Sequence, residues 1–213
     1  MNSRGIKTYG IIIGVTMFVF LVAGVTYAAL TWKSNNITIN GSTECLDIDY
    51  TKGQDITGGN LLLFDKSKII SNNKITITNG MVLTNVTAKI KSTCTIDGYL
   101  TLNLKVTSLN SAFTSTGNST GALNYVLINY DPTTYATIDI TTLNGKTFNI
   151  LSTGTITSTN TIKLSEVQLS KDTTSAYMLV FYLDGSLAQN DSVNTTSNFK
   201  ATLEGTITQG TIG

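Results

Sequence analysis

The chain of 213 residues contains no histidine. Histidine supplies the general base of Ser-His-Asp and Cys-His enzymes and the metal ligands of HExxH zinc peptidases, so these classes are excluded. A carboxylate-only enzyme stays open on composition, but no motif supports one. We therefore expect a protein without a catalytic site.

Charge is also scarce, since charged residues make up 13% of the chain and the formal net charge is +1. No basic stripe interleaved with aromatic residues occurs, so no nucleic-acid partner is expected. Threonine, asparagine and serine supply the polarity instead, and the β-branched threonine favours strands over helices. Because Pro132 is the only proline, turns must rely on the 18 glycines and on Asn and Asp residues.

One long apolar run is present, from Ile11 to Leu30 near the N-terminus. As a helix it would be about 30 Å long, which is enough to cross a bilayer. Arg4 and Lys7 precede it and keep the N-terminus on the cytoplasmic side. Everything after Leu30 is therefore expected on the extracellular side of the cytoplasmic membrane, at the cell surface or secreted.

The same run also fits a signal peptide. Thr26 and Ala28 then occupy the −3 and −1 positions, and a signal peptidase would cut between Ala28 and Ala29. Residues 1–30 are thus predicted to be a signal peptide or an N-terminal membrane anchor, and residues 31–213 an extracellular domain. If the segment is not cut, the membrane is a partner of the protein through this helix.

After Trp32 the pattern changes to an alternation of apolar and polar residues, which is typical of strands with one buried face. The apolar positions of the three clearest strands are Val82, Val86, Ala88 and Ile90; Leu100, Leu102, Leu104 and Val106; and Phe199, Ala201, Leu203 and Ile207. Residues 177–183 are apolar on both faces and predict a central strand. With Asn-Gly and Asp-Gly turns between strands, the pattern predicts an all-β fold. We expect an antiparallel β-sandwich of eight to ten strands, jelly-roll-like or Ig-like, preceded by one N-terminal hydrophobic helix.

Two segments suit a ligand-binding module. Residues 110–121 predict a long exposed loop, and Tyr125, Tyr130 and Tyr135 lie on either side of Pro132, where exposed rings could stack on sugars. Strand alternation around a turn explains the tyrosines more simply. The alternative function is therefore a membrane-anchored adhesin that binds a glycan or a protein.

Cys45 and Cys94 are the only cysteines, and outside the cell an even number usually pairs. A bridge would close a loop of about 50 residues and contribute about 4 kcal/mol on the chain-entropy model. The alternative is two free buried thiols. The acidic stretch "DIDYTKGQD" does not have a glycine and a glutamate at the spacing of a calcium-binding EF-hand loop, so neither a metal nor a cofactor is predicted.

Both ends of the chain resemble the TasA/camelysin group of exported bacterial proteins. The N-terminal similarity consists of "TYAAL" followed by "NITINGSTECLDIDYTKG", and the C-terminal similarity of "AYMLVFYLDGSLAQNDSV" and "NFKATLEGTITQ". This resemblance implies a jelly-roll-like sandwich, secretory export, and release by a dedicated signal peptidase. The peptidase activity described for camelysin does not carry over, because no histidine is present to bind zinc.

In the TasA branch of the group, subunits join into matrix fibres by strand donation. The resemblance implies a donor segment here from Ala29 to Asn40, with Leu30, Trp32, Ile37 and Ile39 as its apolar contacts. The alternative is that this segment is the first strand of its own domain. The leading hypothesis is therefore a non-catalytic surface or matrix protein that assembles into homo-oligomers or fibres.

Overall fold

The computed structural model describes residues 28–32, 36–40, 48–52, 57–90, 98–188 and 199–209. These residues form fourteen strands, two one-turn helices at Lys66–Ile69 and Ile140–Leu143, and a 3-10 turn at Ser111–Phe113. In chain order the strands are β1 (Ala28–Trp32), β2 (Asn36–Asn40), β3 (Ile48–Lys52), β4 (Thr57–Leu61), β5 (Leu63–Phe64), β6 (Ile70–Ser71), β7 (Lys74–Thr76), β8 (Val82–Ile90), β9 (Gly98–Leu109), β10 (Leu123–Asn129), β11 (Thr147–Thr155), β12 (Thr161–Leu169), β13 (Ser175–Asp184) and β14 (Phe199–Gln209). The prediction of a mostly β chain is confirmed. The strands outnumber the eight to ten expected because several are only two to five residues long.

The strands form two sheets. Sheet A has six strands in the order β12-β9-β14-β1-β4, with β2 also paired to β14. Sheet B has eight strands in the order β3-β8-β13-β10-β11-β7-β6, with β5 paired to β13. Most neighbouring strands run antiparallel, but β1 and β2 run parallel to β14, and β5 runs parallel to β13.

Sheets A and B share one hydrophobic core, here called the inner core, to which both contribute side chains. Alternate residues of the long strands enter it, as the sequence pattern predicts, while Lys105 and Lys200 between them are exposed. The buried residues of these strands are Val82, Val86 and Ala88 on β8; Leu100, Leu102, Leu104 and Val106 on β9; and Phe199, Ala201 and Leu203 on β14. The side chains of Ile90 and Ile207 lie outside the described set.

Strand β13 is buried on both faces, which confirms the prediction of a central strand. It lies between β8 and β10 in sheet B. Its residues Tyr177, Leu179, Phe181 and Leu183 enter the inner core, and Ala176, Met178, Val180 and Tyr182 enter a second cluster on the other face of the sheet, here called the outer cluster. Each fully buried aliphatic or aromatic side chain contributes about 1.5–3 kcal/mol, so β13 is the best-anchored strand of this sheet.

The outer cluster covers the face of sheet B that points away from sheet A. Its covering residues come from short elements between residues 64 and 81 and between residues 130 and 148, and include Ile69, Ile75, Ile77 and Leu143. Each one-turn helix begins at an aspartate, Asp65 or Asp139, whose carboxylate accepts the N–H two residues later. Sheet A has no such cover in the described residues, so the polar residues of its alternating strands lie on its outward face.

Strand β11 faces the outer cluster in its first half and the inner core in its second half because it contains a β-bulge. Leu127 pairs with Ser152 but the next residue, Ile128, pairs with Ile150, which leaves Leu151 as the extra residue. Before the bulge Phe148 and Ile150 pack in the outer cluster. After the bulge the even-numbered residues face the inner core. The bulge therefore moves one set of alternate residues from one face of sheet B to the other.

The segment 110–121 is a loop, as expected, and five of its residues are exposed. Part of it is nevertheless anchored, since Phe113 is 1% exposed and belongs to the inner core, and Ala112 and Ser119 are also buried. The Asn110 carboxamide oxygen accepts the Ala112 N–H at 2.8 Å, and the Ser119 N–H donates to the Ala112 carbonyl at 2.9 Å. Polar groups within the segment thus satisfy the backbone of a compact loop.

The predicted N-terminal hydrophobic helix lies outside the described residues. Within the described part of the chain, neither of the helices has the length and apolar character needed to cross a membrane.

Candidate functional site

Strand β14 is the centre of the candidate site, because the predicted donor segment lies beside it. On one side β14 pairs with β9 along its whole length, from Phe199 opposite Leu109 to Gln209 opposite Gly98. On the other side it pairs in parallel with β1 and then with β2. The N-terminal segment thus fills the second edge of β14 in two short stretches.

The register of these pairs involves all four residues predicted as apolar donor contacts. The pairs are Leu30 with Phe199, Trp32 with Ala201, Ile37 with Gly205, and Ile39 with Ile207. Phe199 and Ala201 are 1% and 2% exposed, so the strand that receives the donor residues belongs to the wall of the inner core.

Aromatic packing fixes the start of β14. The rings of Phe199 and Phe181 lie 5.6 Å apart between centroids, with their planes tilted by 55°. Phe181 is on β13 of sheet B, so this contact joins the two sheets. Tilted pairs at this distance contribute about 0.5–1.5 kcal/mol beyond the area that they bury. The edge of β14 that receives β1 is therefore rigidly held.

The outward face of sheet A around β14 is polar and weakly charged. Lys105 and Glu204 lie 3.5 Å apart, and Lys163 and Glu166 lie 2.9 Å apart. The hydrogen bond from Lys163 lowers the pKa of Glu166. These exposed pairs contribute little to stability because water and salt screen them. They offer no concentrated field that would select a charged ligand.

Strand β4 is a second neighbour of β1 that the sequence did not reveal. It pairs antiparallel with β1, placing Leu61 opposite Ala28 and Asn60 opposite Ala29. Leu61 is 1% exposed and lies in the inner core. The stretch "TGGNL" contains two glycines and no alternation, so only the apolar residues after it hinted at a strand.

The predicted cleavage site lies at the start of β1, since Ala28 and Ala29 are the first two residues of this strand. The residues before Ala28 lie outside the described part of the chain. The structure thus places the residue that would become the mature N-terminus beside Asn60 of β4.

Cys45 and Cys94 lie outside the described residues, but the strands nearest to them are paired. Strand β3 begins three residues after Cys45, and β8 ends four residues before Cys94. The two strands are antiparallel, with Ile48 opposite Ile90. The chain therefore enters β3 and leaves β8 at the same end of this strand pair.

The tyrosines proposed as a sugar-stacking platform are not available for that role. Tyr125 and Tyr130 are each 6% exposed, and Tyr130 accepts a hydrogen bond from Asn85 through its hydroxyl oxygen at 3.0 Å. Tyr135 is partly buried and packs against Phe148 with 5.1 Å between ring centroids. The interpretation of these residues as an exposed binding surface is wrong, because Tyr125 enters the inner core, Tyr130 lies in the outer cluster and Tyr135 packs against that cluster.

Among the described residues, no group of three or more His, Cys, Asp or Glu side chains converges as a metal site would require. The buried Asp184 is a turn residue, because its Oδ1 accepts the Ser186 N–H at 3.0 Å and the Ser186 hydroxyl at 2.6 Å. Burial, and then the charge of Asp184, raise the pKa of the nearby Tyr182 to about 12. Tyr182 is therefore a neutral core residue at ordinary pH.

No protein-family model, no curated protein and no solved structure matches this chain. The features that bear on function are therefore the β14 edge and the N-terminal sequence.

Proposed function

We propose that the chain is a non-catalytic structural protein of the bacterial cell surface or extracellular matrix, which assembles into fibres by N-terminal strand donation. The observation that supports this most is the register beside β14. The four residues predicted as donor contacts are the residues paired with Phe199, Ala201, Gly205 and Ile207. The donated segment is Ala29 to Asn40.

In strand donation, the pairing of β1 and β2 with β14 that the structure shows within one chain forms between two copies of the chain instead. Strands β1 and β2 have five residues each. In this proposal the cut removes Ala28, so the mature chain begins at the second residue of β1. When β1 and β2 of one copy pair with β14 of the next, backbone hydrogen bonds and pocket contacts are kept. Because donor and acceptor are different surfaces, the contact is head-to-tail and repeats into a fibre.

The finer fold assignment belongs to the same proposal. Two packed sheets and a shared inner core support a sandwich, which we assign to the jelly-roll-like or Ig-like type preceded by a hydrophobic N-terminal helix. The parallel pairing of β1 with β14 fits a chain whose first segment is added to an otherwise antiparallel sheet. With the sequence resemblance, this supports a place beside the TasA/camelysin group, with export and signal-peptidase release.

A disulfide between Cys45 and Cys94 is also part of the proposal. The segment with Cys45 leads into β3 at Ile48, and the segment with Cys94 follows β8 at Ile90. These two strand ends are paired and lie about 5 Å apart. Segments of three and four residues from such a start readily reach the 4.4–6.8 Å between Cα atoms that a disulfide requires. Both cysteines lie C-terminal to Asn40, where the donor segment ends, so the bridge would leave that segment free.

Purified Ala29–Gly213 tests the proposal in the absence of any ligand. We expect fibres by electron microscopy and a rise in light scattering with concentration. The matched control is a chain that starts at Gly41 and lacks the donor segment, which should not form fibres. Monomers alone, across a wide range of concentration and pH, would overturn the assembly proposal.

A further inference from the structure

The bond that signal peptidase would cut lies inside a strand of the folded domain. Ala28 and Ala29 pair with Leu61 and Asn60 of β4, as the first two residues of β1. A peptidase site holds its substrate extended through main-chain hydrogen bonds on both sides of the scissile bond. The same backbone groups cannot serve β4 and a peptidase together.

The two residues that follow the cleavage site are paired on both sides. Leu30 lies between Gly59 of β4 and Phe199 of β14. Thr31 lies between Thr57 and Lys200 on the same two strands. A residue inside a sheet offers no free strand edge, so the peptidase can reach this segment only after β1 has left the sheet.

Removal of β1 from sheet A would disturb the inner core. Leu61 on β4 and Phe199 on β14 are each 1% exposed, and both pair with β1. Opening at β1 therefore exposes apolar surface on both of its neighbours, which keeps the open population small. When opening is fast relative to cutting, the rate of proteolysis follows that population.

We propose that the folding of β1 into sheet A protects the Ala28–Ala29 bond, so that signal peptidase must act before this strand is in place. Early cutting releases the domain with a free N-terminal strand. A chain that folds first keeps its hydrophobic segment and stays attached to the membrane. The competition between folding and cutting thus sets how much protein is released. This inference depends on the cleavage site named above and does not depend on strand donation.

The test compares the full-length precursor, in mild detergent, in its folded state and in enough urea to unfold it. A purified type I signal peptidase is added, and mass spectrometry follows the appearance of the product that begins at Ala29. A peptide of residues 24–33, which contains the same bond, is cut in parallel in both solutions to correct for the effect of urea on the enzyme. After this correction, the folded precursor should be cut at least about tenfold more slowly than the unfolded one.

Gly59→Pro and Asn60→Pro provide a matched pair in the folded state. Backbone N–H groups point alternately to the two sides of a strand, so one of these prolines removes a hydrogen bond to β1 and the other does not. We expect one variant to be cut several-fold faster than the other, with both showing the near-ultraviolet circular dichroism of the wild type.

Equal corrected rates for folded and unfolded precursor would overturn the inference. Failure of the unfolded precursor to be cut at Ala28–Ala29 would overturn it as well, because there would be no site to protect. If both proline variants fail to fold, the comparison of folded and urea-unfolded wild-type precursor still tests the inference. Fibre formation by Ala29–Gly213, produced directly without a signal segment, is decided separately.

Discussion

At the scale of single residues, Gly154 shows how closely β10 and β11 approach each other. A Cβ placed at this position would lie 2.7 Å from the hydroxyl oxygen of Tyr125, which pairs with it across the two strands. Tyr125 is 6% exposed and held in the inner core, so its ring cannot easily move away. The glycine is therefore required by packing, and its backbone does not have a positive φ.

Gly154→Ala should lower the free energy of unfolding by about 1–3 kcal/mol, the usual cost of overpacking a core. Gly185→Ala is the matched control, because a Cβ there meets Leu63 and Phe64 at an ordinary 3.4 Å. Urea unfolding of both variants measures the difference. The packing account of position 154 is wrong if the two substitutions have the same effect.

Asp131 makes a pH-dependent contribution from an exposed turn. Its Oδ1 accepts the Thr133 hydroxyl at 2.7 Å and the Thr133 N–H at 2.9 Å, while Oδ2 accepts the Thr134 hydroxyl at 2.7 Å. These bonds, that of the Thr133 hydroxyl first, lower the pKa of Asp131 from 3.8 to about 2. The unfolded chain then binds more protons than the folded one between these values. Stability from this group is complete above pH 3.8 and is lost as pH falls through about 2.

Nuclear magnetic resonance titration of the Asp131 carboxyl carbon measures this directly. We expect a midpoint near 2 in the folded protein. When Thr133 and Thr134 are both replaced by alanine, the midpoint should rise toward the ordinary value, although the backbone N–H of residue 133 still holds it below that value. An unshifted midpoint in the wild type would show that the turn does not hold the carboxylate. Asp131→Asn should remove this part of the acid sensitivity and should lower stability near neutral pH, because the hydrogen bonds to the charged carboxylate are lost.

At the scale of elements, the bulge at Leu151 explains how one strand serves two cores. Leu151 is 48% exposed, and the pairing with β10 continues on both sides of it. If Leu151 is deleted, a regular ladder forms in which Ile150 and Ser152 keep their faces. The deletion should therefore change the free energy of unfolding by less than about 1 kcal/mol.

Deletion of Thr87 is the matched test on a regular strand. Strand β8 pairs with β13 without a register shift, so losing Thr87 would turn either Val86 or Ala88 away from the inner core. The cost should be at least about 3 kcal/mol, or folding should fail. Urea unfolding compares the two deletions, and equal costs would contradict the assignment of Leu151 to the bulge.

The elements that the sequence predicted are those whose burial follows a period of two. The alternation of apolar and polar residues predicted β8, β9 and β14, and a run that is apolar on both faces predicted β13. Both patterns are readable because successive residues of a strand point to opposite faces of the sheet. The short strand β4 was not predicted, because its two glycines and its asparagine show no alternation of apolar and polar residues. The loop at 110–121 was predicted, but its buried anchor at Phe113 was not, because composition does not show which residues of a loop pack against the core.

At the scale of the whole molecule, strand order was not predictable. The donor residues Leu30 and Trp32 could be proposed from the resemblance, but their partners Phe199 and Ala201 lie about 170 residues away in sequence. Parallel pairing over such a distance leaves no local signal. For the pairing beside β14, the sequence could name apolar residues of the N-terminal segment in advance, and it could not name the strand with which they pair.

The proposed disulfide connects the start of β3 to the end of β8 and should stabilise the whole domain. Replacing both Cys45 and Cys94 by serine should lower the free energy of unfolding by about 4 kcal/mol. Intact mass after thiol alkylation, with and without reduction, tests the bridge itself. Alkylation of both cysteines in the unfolded, unreduced protein would show that no bridge exists.

Thr31 on β1 and Lys200 on β14 are in register. Strand donation predicts that in fibres the paired Thr31 and Lys200 belong to two different copies of the chain. The most direct measurement introduces Thr31→Cys and Lys200→Cys into Ala29–Gly213 that also has Cys45→Ser and Cys94→Ser. The protein is assembled under reducing conditions, oxidised, and separated on a denaturing gel without reductant. The account predicts a ladder of covalent multimers from fibres, and monomers that no longer assemble when oxidation comes first. Fibres composed of internally cross-linked monomers would contradict strand donation.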